Sequence, residues 1–450
     1  MEVIADLHLH SKYSRAVSQQ MVISEIAYWA IKKGIDLVGT ADWTHPLWLR
    51  ELKEDLKEVE EGIYKLKDEL LKLKNQEKEV YFILATEIAS IYTQNGKPHR
   101  IHNLVLAPSF AVVEKINEKL RAVGVNLFAD GRPTTGLSCP QLCELIWGVE
   151  ENCLIIPAHV WTPWYSLYGS RSGFNSLREC FGKYADKIHA IETGLSSDPA
   201  MNWRIKELDQ RSIVSFSDAH SPAKLGREAT VFALGENKVP NSKSQILKFS
   251  FTDIVEAIKN QDIAYTIEFY PEEGKYHWTG HRSCGVRHSS EETRKKGSIC
   301  PVCGKPLTVG VMYRVDQLAN RESKTQIIKF KTGVRLIFNE DKTRPPYVML
   351  VPLLEILAEA MKGNISSHNV LNEYNKLTSY FGSEFKVLLE APIEELAKIS
   401  GEKVAKGIKR VREGEIVVEP GYDGVFGTVK IWPEGEDVEK EEEQGQMSLF

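Results

Sequence analysis

Asp6-Leu7-His8-Leu9-His10-Ser11 closes a strand-like apolar run that begins near Glu2. Side chains alternate along a strand, so His8 and His10 share one face. Two imidazoles on one face at a strand end form part of a metal shell, and the remaining ligands must come from elsewhere in the chain. Two unrelated histidines near a terminus are the alternative reading.

The chain supplies the missing ligands. Apolar runs at 2–7, 35–40, 80–86, 101–106, 153–158, 188–192 and 212–217 alternate with helical segments. Several carry His, Asp or Glu at their ends: Thr40-Ala41-Asp42-Trp43-Thr44-His45, Ala85-Thr86-Glu87, Arg100-Ile101-His102, Pro157-Ala158-His159 and Ser217-Asp218-Ala219-His220. Such a pattern predicts an α/β barrel, where chemistry gathers at the C-terminal ends of parallel strands. Imidazole mixed with carboxylate suits Zn2+, Mn2+ or Fe2+. A carboxylate such as Glu87 can bridge two cations, and clustered divalent ions activate water and brace an in-line phosphoryl displacement.

With 450 residues, 42% hydrophobic and 26% charged, the composition is that of a globular protein of two to three domains. No apolar run approaches the roughly 20 residues that span a bilayer. No secretory signal is visible at the N-terminus, so cytoplasmic residence is expected. Cys139, Cys143, Cys153 and Cys180 lie among apolar residues and read as buried thiols. The net charge of −5 hides two opposite blocks. Residues 434–444 hold seven acids and one lysine, whereas residues 281–344 hold fourteen Lys/Arg against six Asp/Glu. The basic block suits a polyanion.

Leu49, Leu52, Leu56, Val59, Ile63, Leu66, Leu70 and Leu73 alternate spacings of three and four, which predicts one long helix over about 47–78. Packing on the barrel is its expected role, with dimerisation as the alternative; a monomer is expected.

Beyond residue 235 come a connector (236–275), a cysteine module (276–345), a helical segment (346–433) and an acidic tail (434–450). His281-x2-Cys284-x15-Cys300-Pro301-x-Cys303 has the spacing of a closed tetrahedral Zn2+ site, with His277 or His288 as alternatives to His281. Gly401 and Lys403 lie in a degenerate helix-hairpin-helix pattern that could present backbone N–H groups to a DNA phosphate. In the loop after His159, Trp161, Trp164 and Tyr168 could stack on a base, and Ser170 and Arg171 could hold a phosphate; a packed rim is the alternative. Asp198 could orient a water or a metal, or cap a helix starting at Pro199. The chain contains no GxxxxGK(S/T), so ATP-driven unwinding is unsupported.

DLHLHS, TADWTH, TEI, IHN, PAH and SDAH together resemble the PHP (polymerase and histidinol phosphatase) phosphoesterase family. The resemblance implies a distorted (β/α)7 barrel with two or three divalent metals (Zn2+, Mn2+ or Mg2+). It implies His8, His10, Glu87 and Asp218 as ligands of a first metal, Glu87, His102 and His159 of a second, and Asp42 and His220 of a third. The chain departs from the family where Trp43 replaces a histidine; His45 is the candidate substitute. Glu87 and Asp218, with Asp198, are the candidate catalytic carboxylates.

The module order, with PAHVWTPWYSLYGSRSGF, ETGLSSDPAMNW, FSDAHSP and CPVCGKPLTVGV, is similar to the endonuclease Q family. That implies incision of damaged double-stranded DNA 5′ to a deaminated base (hypoxanthine, uracil, xanthine) or an abasic site, with the target nucleotide flipped. Nucleoid association follows. The terminal Gln446-Met447-Ser448-Leu449-Phe450 resembles the peptide by which bacterial proteins bind the β sliding clamp; an archaeal PCNA is the alternative partner. Two rival functions are a small-molecule phosphatase of the histidinol-phosphate type and a non-catalytic clamp-associated DNA-binding protein.

Overall fold

The computed structural model describes residues 1–73, 79–235, 249–433 and 435. Among them, no helix is long and apolar enough to cross a membrane.

The strand Glu2–Asp6 lies inside a large branched sheet. It pairs in parallel with Leu37–Gly39, which pairs in parallel with the start of Tyr81–Gln94. On its other side Ala229–Ala233 runs antiparallel. Val3, Ala5 and Leu7 are buried in one apolar cluster with Leu37, Ile83 and Phe232. The period of two that buries them puts Asp6, His8 and His10 on the opposite face. Asp6 accepts from Ser217 N and Oγ and from Gly226 N, which ties the strand end to the Ser217–His220 segment.

The mixed α/β class holds, but among the described residues the pairings do not trace a closed ring of seven parallel strands. Residues 101–106 are not a further parallel strand. They belong to Lys97–Ala107, which folds back antiparallel on Tyr81–Gln94 and itself pairs antiparallel with Leu154–Pro157. The cause is the Asn95-Gly96 turn, where both residues take positive φ (52° and 75°), the geometry of a tight hairpin. The runs at 188–192 and 212–217 form a separate parallel pair, Ala190–Glu192 with Ser212–Val214.

The helix expected over 47–78 is corrected across 47–73, and its remainder, 74–78, lies outside the described residues. The helix Pro46–Asp55 stops, and Leu56–Glu60 and Ile63–Leu66 form a hairpin at the sheet margin. The apolar spacing satisfies both readings, because Leu56, Ile63 and Leu66 are buried in the strands as they would be along a helical seam. Gly62 decides between them. It turns at φ +67°, and a Cβ there would stand 2.6 Å from Phe251 Cβ and 2.7 Å from Pro108 O. Gly62→Ala is expected to cost about 1–3 kcal/mol in urea unfolding, since both conformation and space are denied.

The divisions expected at 235, 275 and 345 cut across the sheet. Ile263–Glu268, Arg335–Asn339 and Tyr347–Met349 all join it, and Thr325–Lys329 extends it at the margin. Helices Leu353–Ala360, His368–Phe381, Glu384–Leu389, Ile393–Ser400 and Glu402–Glu413 complete the C-terminal region. Buried Arg412 holds several of its parts together by donating to the carbonyls of Val387, Leu388, Ala391 and Thr332. A buried pair, Lys33 Nζ to Glu384 Oε2 at 2.7 Å, joins these helices to the first helix, Ile23–Lys33.

Candidate metal centre and its cleft

His8 and His10 follow the first strand, where His10 N donates to Ala219 O at 3.1 Å. Each imidazole is fixed by a carboxylate behind it. His8 Nδ1 lies 2.9 and 3.0 Å from the two oxygens of Glu192, and His10 Nδ1 lies 3.1 Å from Asp42 Oδ1. An ionised carboxylate only accepts, so the proton sits on Nδ1 and Nε2 is left facing the centre. There His8 Nε2, His10 Nε2 and Asp218 Oδ1 are buried without hydrogen-bond partners. Asp218 Oδ1 stands 3.0 Å from His10 Nε2 and 3.7 Å from His8 Nε2.

Glu87 is the hub. It and His102 lie on paired strands whose register, Glu87 opposite Leu104, puts both side chains on one face. Glu87 Oε1 is 2.7 Å from His102 Nδ1, 3.0 Å from His159 Nε2 and 3.6 Å from His8 Nε2. Its Oε2 is 3.5 Å from His10 Nε2 and accepts from Arg132 Nη1 at 3.2 Å. The donors fall into three overlapping groups: His8, His10 and Glu87; Glu87, His102 and His159; His10, Asp218 and His220. In each group the ligand atoms lie within 4.8 Å of one another.

Electrostatics fit the same purpose. Burial opposes charge on His8, yet Glu192, Asp218 and Glu87 pull its pKa up to about 10. Asp42 and Asp218 likewise lift His10, against burial, to about 9. Burial pushes His102 down to about 4 against the pull of Glu87. Against burial, the surrounding histidines hold Glu87 well below the usual carboxylate range. Buried negative charge, inward-facing ring nitrogens and orphaned donor atoms are the features of a divalent-cation site. Local strain marks it as well: Ala41, Asp42, His159 and Asp218 all take positive φ without being glycine.

Two residues expected as ligands of a third metal lie outside these groups. Asp42 spends its oxygens on His10, on Ser11 N and Oγ (2.6 and 2.7 Å) and on Ser14 Oγ (2.8 Å), so it orients a ligand instead. Asp42→Asn is expected to weaken metal binding or activity by about 10–100-fold, measured by titration with Mn2+, because the amide cannot satisfy these donors together. His45 stacks on Tyr13 at 4.3 Å, away from the ligand groups, and Trp43 is wholly buried in the core. His220 does join His10 and Asp218.

Other site candidates are redistributed. Asp198 caps the turn Pro199–Asn202 through Met201 N at 2.8 Å and lies outside the cleft lining. Trp161 and Tyr168 are wholly buried and hydrogen-bonded to Asn202 and Glu207, so neither presents a face for stacking. Ser170 and Arg171 donate to Val309 O and Leu307 O, joining the loop to the cysteine module. Trp164 does line the cleft, a space of about 480 Å3 over the metal centre, together with Tyr165, Arg132, Arg15, Leu195 and Ser196. Arg132 carries a functional contact that sequence reasoning missed, and Glu192 one that it did not assign. Arg132 has no local pattern around it, whereas Glu192 ends a recognised strand run and was legible as a strand-end acid.

In the cysteine module the donor atoms of His281, Cys284, Cys300 and Cys303 converge within 4.8 Å. Against burial, the N–H groups of Cys303 and Val302 hold the Cys300 thiol down at about 6, which favours the thiolate a metal needs. His277 and His288 do not take part in the cluster. Cys139, Cys143, Cys153 and Cys180 are buried thiols. Gly401, exposed at φ +86°, links Ile393–Ser400 to Glu402–Glu413, and Lys403 lies over the Trp432 ring at 5.9 Å. Gln446–Phe450 lie outside the described residues.

Residues 352–415 match the family described as the MJ0043 C-terminal domain. The chain is 34% identical over 297 residues to the uncharacterised protein MJ0043 of Methanocaldococcus jannaschii, a match covering 66% of this chain and 33% of that relative. The chain therefore spans about a third of that relative's length. It is 30% identical over 448 residues to uncharacterised YqxK of Bacillus subtilis, covering 95% and 99% of the two chains. The lesion-specific endonuclease PfuEndoQ of Pyrococcus furiosus superposes with a TM-score of 0.77 at 32% identity, over 98% of this chain and 99% of that one. The chain belongs to the endonuclease Q family. A second endonuclease Q structure, bound to a 27-mer duplex with an abasic lesion at its active site, superposes with a TM-score of 0.78 at 32% identity, over 98% and 100% of the two chains. The three donor groups form a candidate divalent-metal centre within that shared fold.

Proposed function

We propose that the chain is a lesion-specific DNA endonuclease that hydrolyses the phosphodiester 5′ to a deaminated base (hypoxanthine, uracil, xanthine) or an abasic site. The observation that carries this reading is the bridging position of Glu87 between two histidine sets, below an open cleft, in a chain similar over its whole length to a lesion-specific endonuclease. His8, His10, Glu87 and Asp218 would hold one divalent ion and Glu87, His102 and His159 a second, and His220, beside Asp218, offers a donor toward a third. When bound, Zn2+, Mn2+ or Mg2+ supplies Lewis acidity and positive charge toward a phosphodiester and its attacking water. Arg132, already turned into the cleft, pairs with a phosphate oxygen, and Trp164 and Tyr165 wall the space for the displaced nucleotide. His281, Cys284, Cys300 and Cys303 would hold a structural Zn2+, since four protein donors leave no open position.

The test is incision of a duplex carrying one abasic site or one hypoxanthine, with and without EDTA. A single lesion-dependent nick that chelation abolishes supports the reading. Hydrolysis of p-nitrophenyl phosphate with intact duplex would favour the small-molecule phosphatase. Binding without any incision would favour the non-catalytic protein.

Gln446–Phe450 is the proposed clamp peptide, placing the enzyme on nucleoid DNA. Deleting it is expected to abolish binding to immobilised β clamp while leaving nicking of short duplexes within about twofold.

A further inference from the structure

The tip of the C-terminal hairpin exposes a large ring beside the cleft. The strands Val417–Glu419 and Thr428–Lys430 pair antiparallel, and between them Tyr422 and Val425 exchange backbone hydrogen bonds of 3.0 and 2.8 Å. Asp423 and Gly424 take φ of 43° and 86°, as the Asp-Gly of a type I′ turn does. The tip is therefore rigid. It is also fixed in place: Gly421 N donates to Glu272 O, Gly424 N to Lys275 O, Gly427 N to Glu273 O, and Arg282 N to Asp423 Oδ2. Gly421 and Gly427 make this contact possible, because a Cβ on either would lie within 2.5 Å of a backbone atom.

The surface it rests on adjoins the cleft. A Cβ on Gly274 would lie 3.5 Å from Leu195 O and 3.9 Å from Ser196 Oγ, two residues of the cleft wall. Tyr276 packs against Trp164 of the same wall at 5.5 Å. From this clamped tip Phe426 projects with 63% of its surface exposed, beside Val425 at 40%. Lys275 Nζ stands 4.4 Å from the Phe426 ring centroid, and Arg282 is exposed nearby.

A pre-formed turn that exposes an apolar ring flanked by cations fits one occupant better than others: stacked bases between two phosphate backbones. We propose that Phe426 wedges into the duplex beside the target nucleotide, filling the stack that the nucleotide leaves as it enters the cleft, with Lys275 and Arg282 against the flanking phosphates. This rests on the endonuclease reading above. An apolar wedge acts by helping to unstack a paired duplex, so it should matter little where the bases are already unpaired.

The experiment uses the full chain, an abasic duplex, and the same lesion placed in a bubble of unpaired bases, each with 2-aminopurine next to the lesion. Phe426→Ala is expected to slow nicking of the duplex at least about tenfold, to leave the bubble within about twofold, and to remove the 2-aminopurine fluorescence rise on binding the duplex. Phe426→Leu, which keeps an apolar wedge, should restore most of both signals. Equal loss on duplex and bubble, unchanged nicking of the duplex, or an unchanged fluorescence rise would overturn the wedge. Failure of the wild-type chain to nick either substrate would instead overturn the endonuclease reading, so the two failures are distinguishable.

Discussion

Glu87→Gln is expected to lower lesion-dependent nicking by about 10^3-fold or more, because one change removes the charge shared by two ligand groups. Glu87 has no spare oxygen: Oε1 faces His102, His159 and His8, and Oε2 faces His10 and Arg132. An amide of the same shape keeps one acceptor but turns an NH2 toward ring nitrogens or toward the Arg132 guanidinium. Metal retention and charge neutralisation are therefore both lost while the volume in the core is preserved. Single-turnover nicking of an abasic duplex at saturating Mn2+ measures the effect, and metal content after dialysis measures its cause. Melting in EDTA shows whether the fold survives. Activity within tenfold of wild type would place the chemistry elsewhere.

Cys303→Ser is expected to remove the proposed structural Zn2+ and, with it, to weaken duplex binding. Residues 276–311 bury few large apolar side chains, chiefly Leu307 and Val311, so the module has little core of its own. Closing a tetrahedral site supplies the folding free energy that such a core lacks. Cys303 is the exposed member of the four, so the substitution disturbs no core packing and tests the metal directly. The expected readouts are loss of one Zn2+ equivalent per chain, proteolysis within 283–305, and at least about tenfold weaker binding to duplex. Loss of the module should also loosen the loop after His159, since Ser170 and Arg171 donate to Val309 O and Leu307 O of the module. Retention of the full metal complement would sink the assignment.

Much of the centre was legible because its ligands end or lie within recognisable strand runs. The parity of His8 and His10, together with Glu87, His102, His159, Asp218 and His220, named every member of the three donor groups. Asp42 shows the limit of that logic. A strand-end carboxylate reads the same whether it faces a metal or the back of a histidine, and only three dimensions put Ser11 and Ser14 around it. Arg132 reaches Glu87 from 45 residues away, a distance that no local pattern encodes. Trp161 and Tyr168 misled for a related reason: aromatic composition does not distinguish a ring that meets solvent from one that packs beneath a loop.

The order of residues alone named the candidate ligands, the Cys/His cluster, the α/β class and the helical C-terminal region. These follow from residue chemistry and short-range periodicity, both present in any stretch of about ten residues. Folding decided which carboxylates face inward and whether the leucine spacing after Pro46 winds as a helix or pairs as strands. It also decided where the hairpin tip with Phe426 comes to rest. Those outcomes depend on turns such as Asn95-Gly96 and Gly62, and on contacts between residues far apart in the chain. A DLHLH motif announces a metal; the pairing of His8 with Glu192, 184 residues away, is what turns its Nε2 toward one.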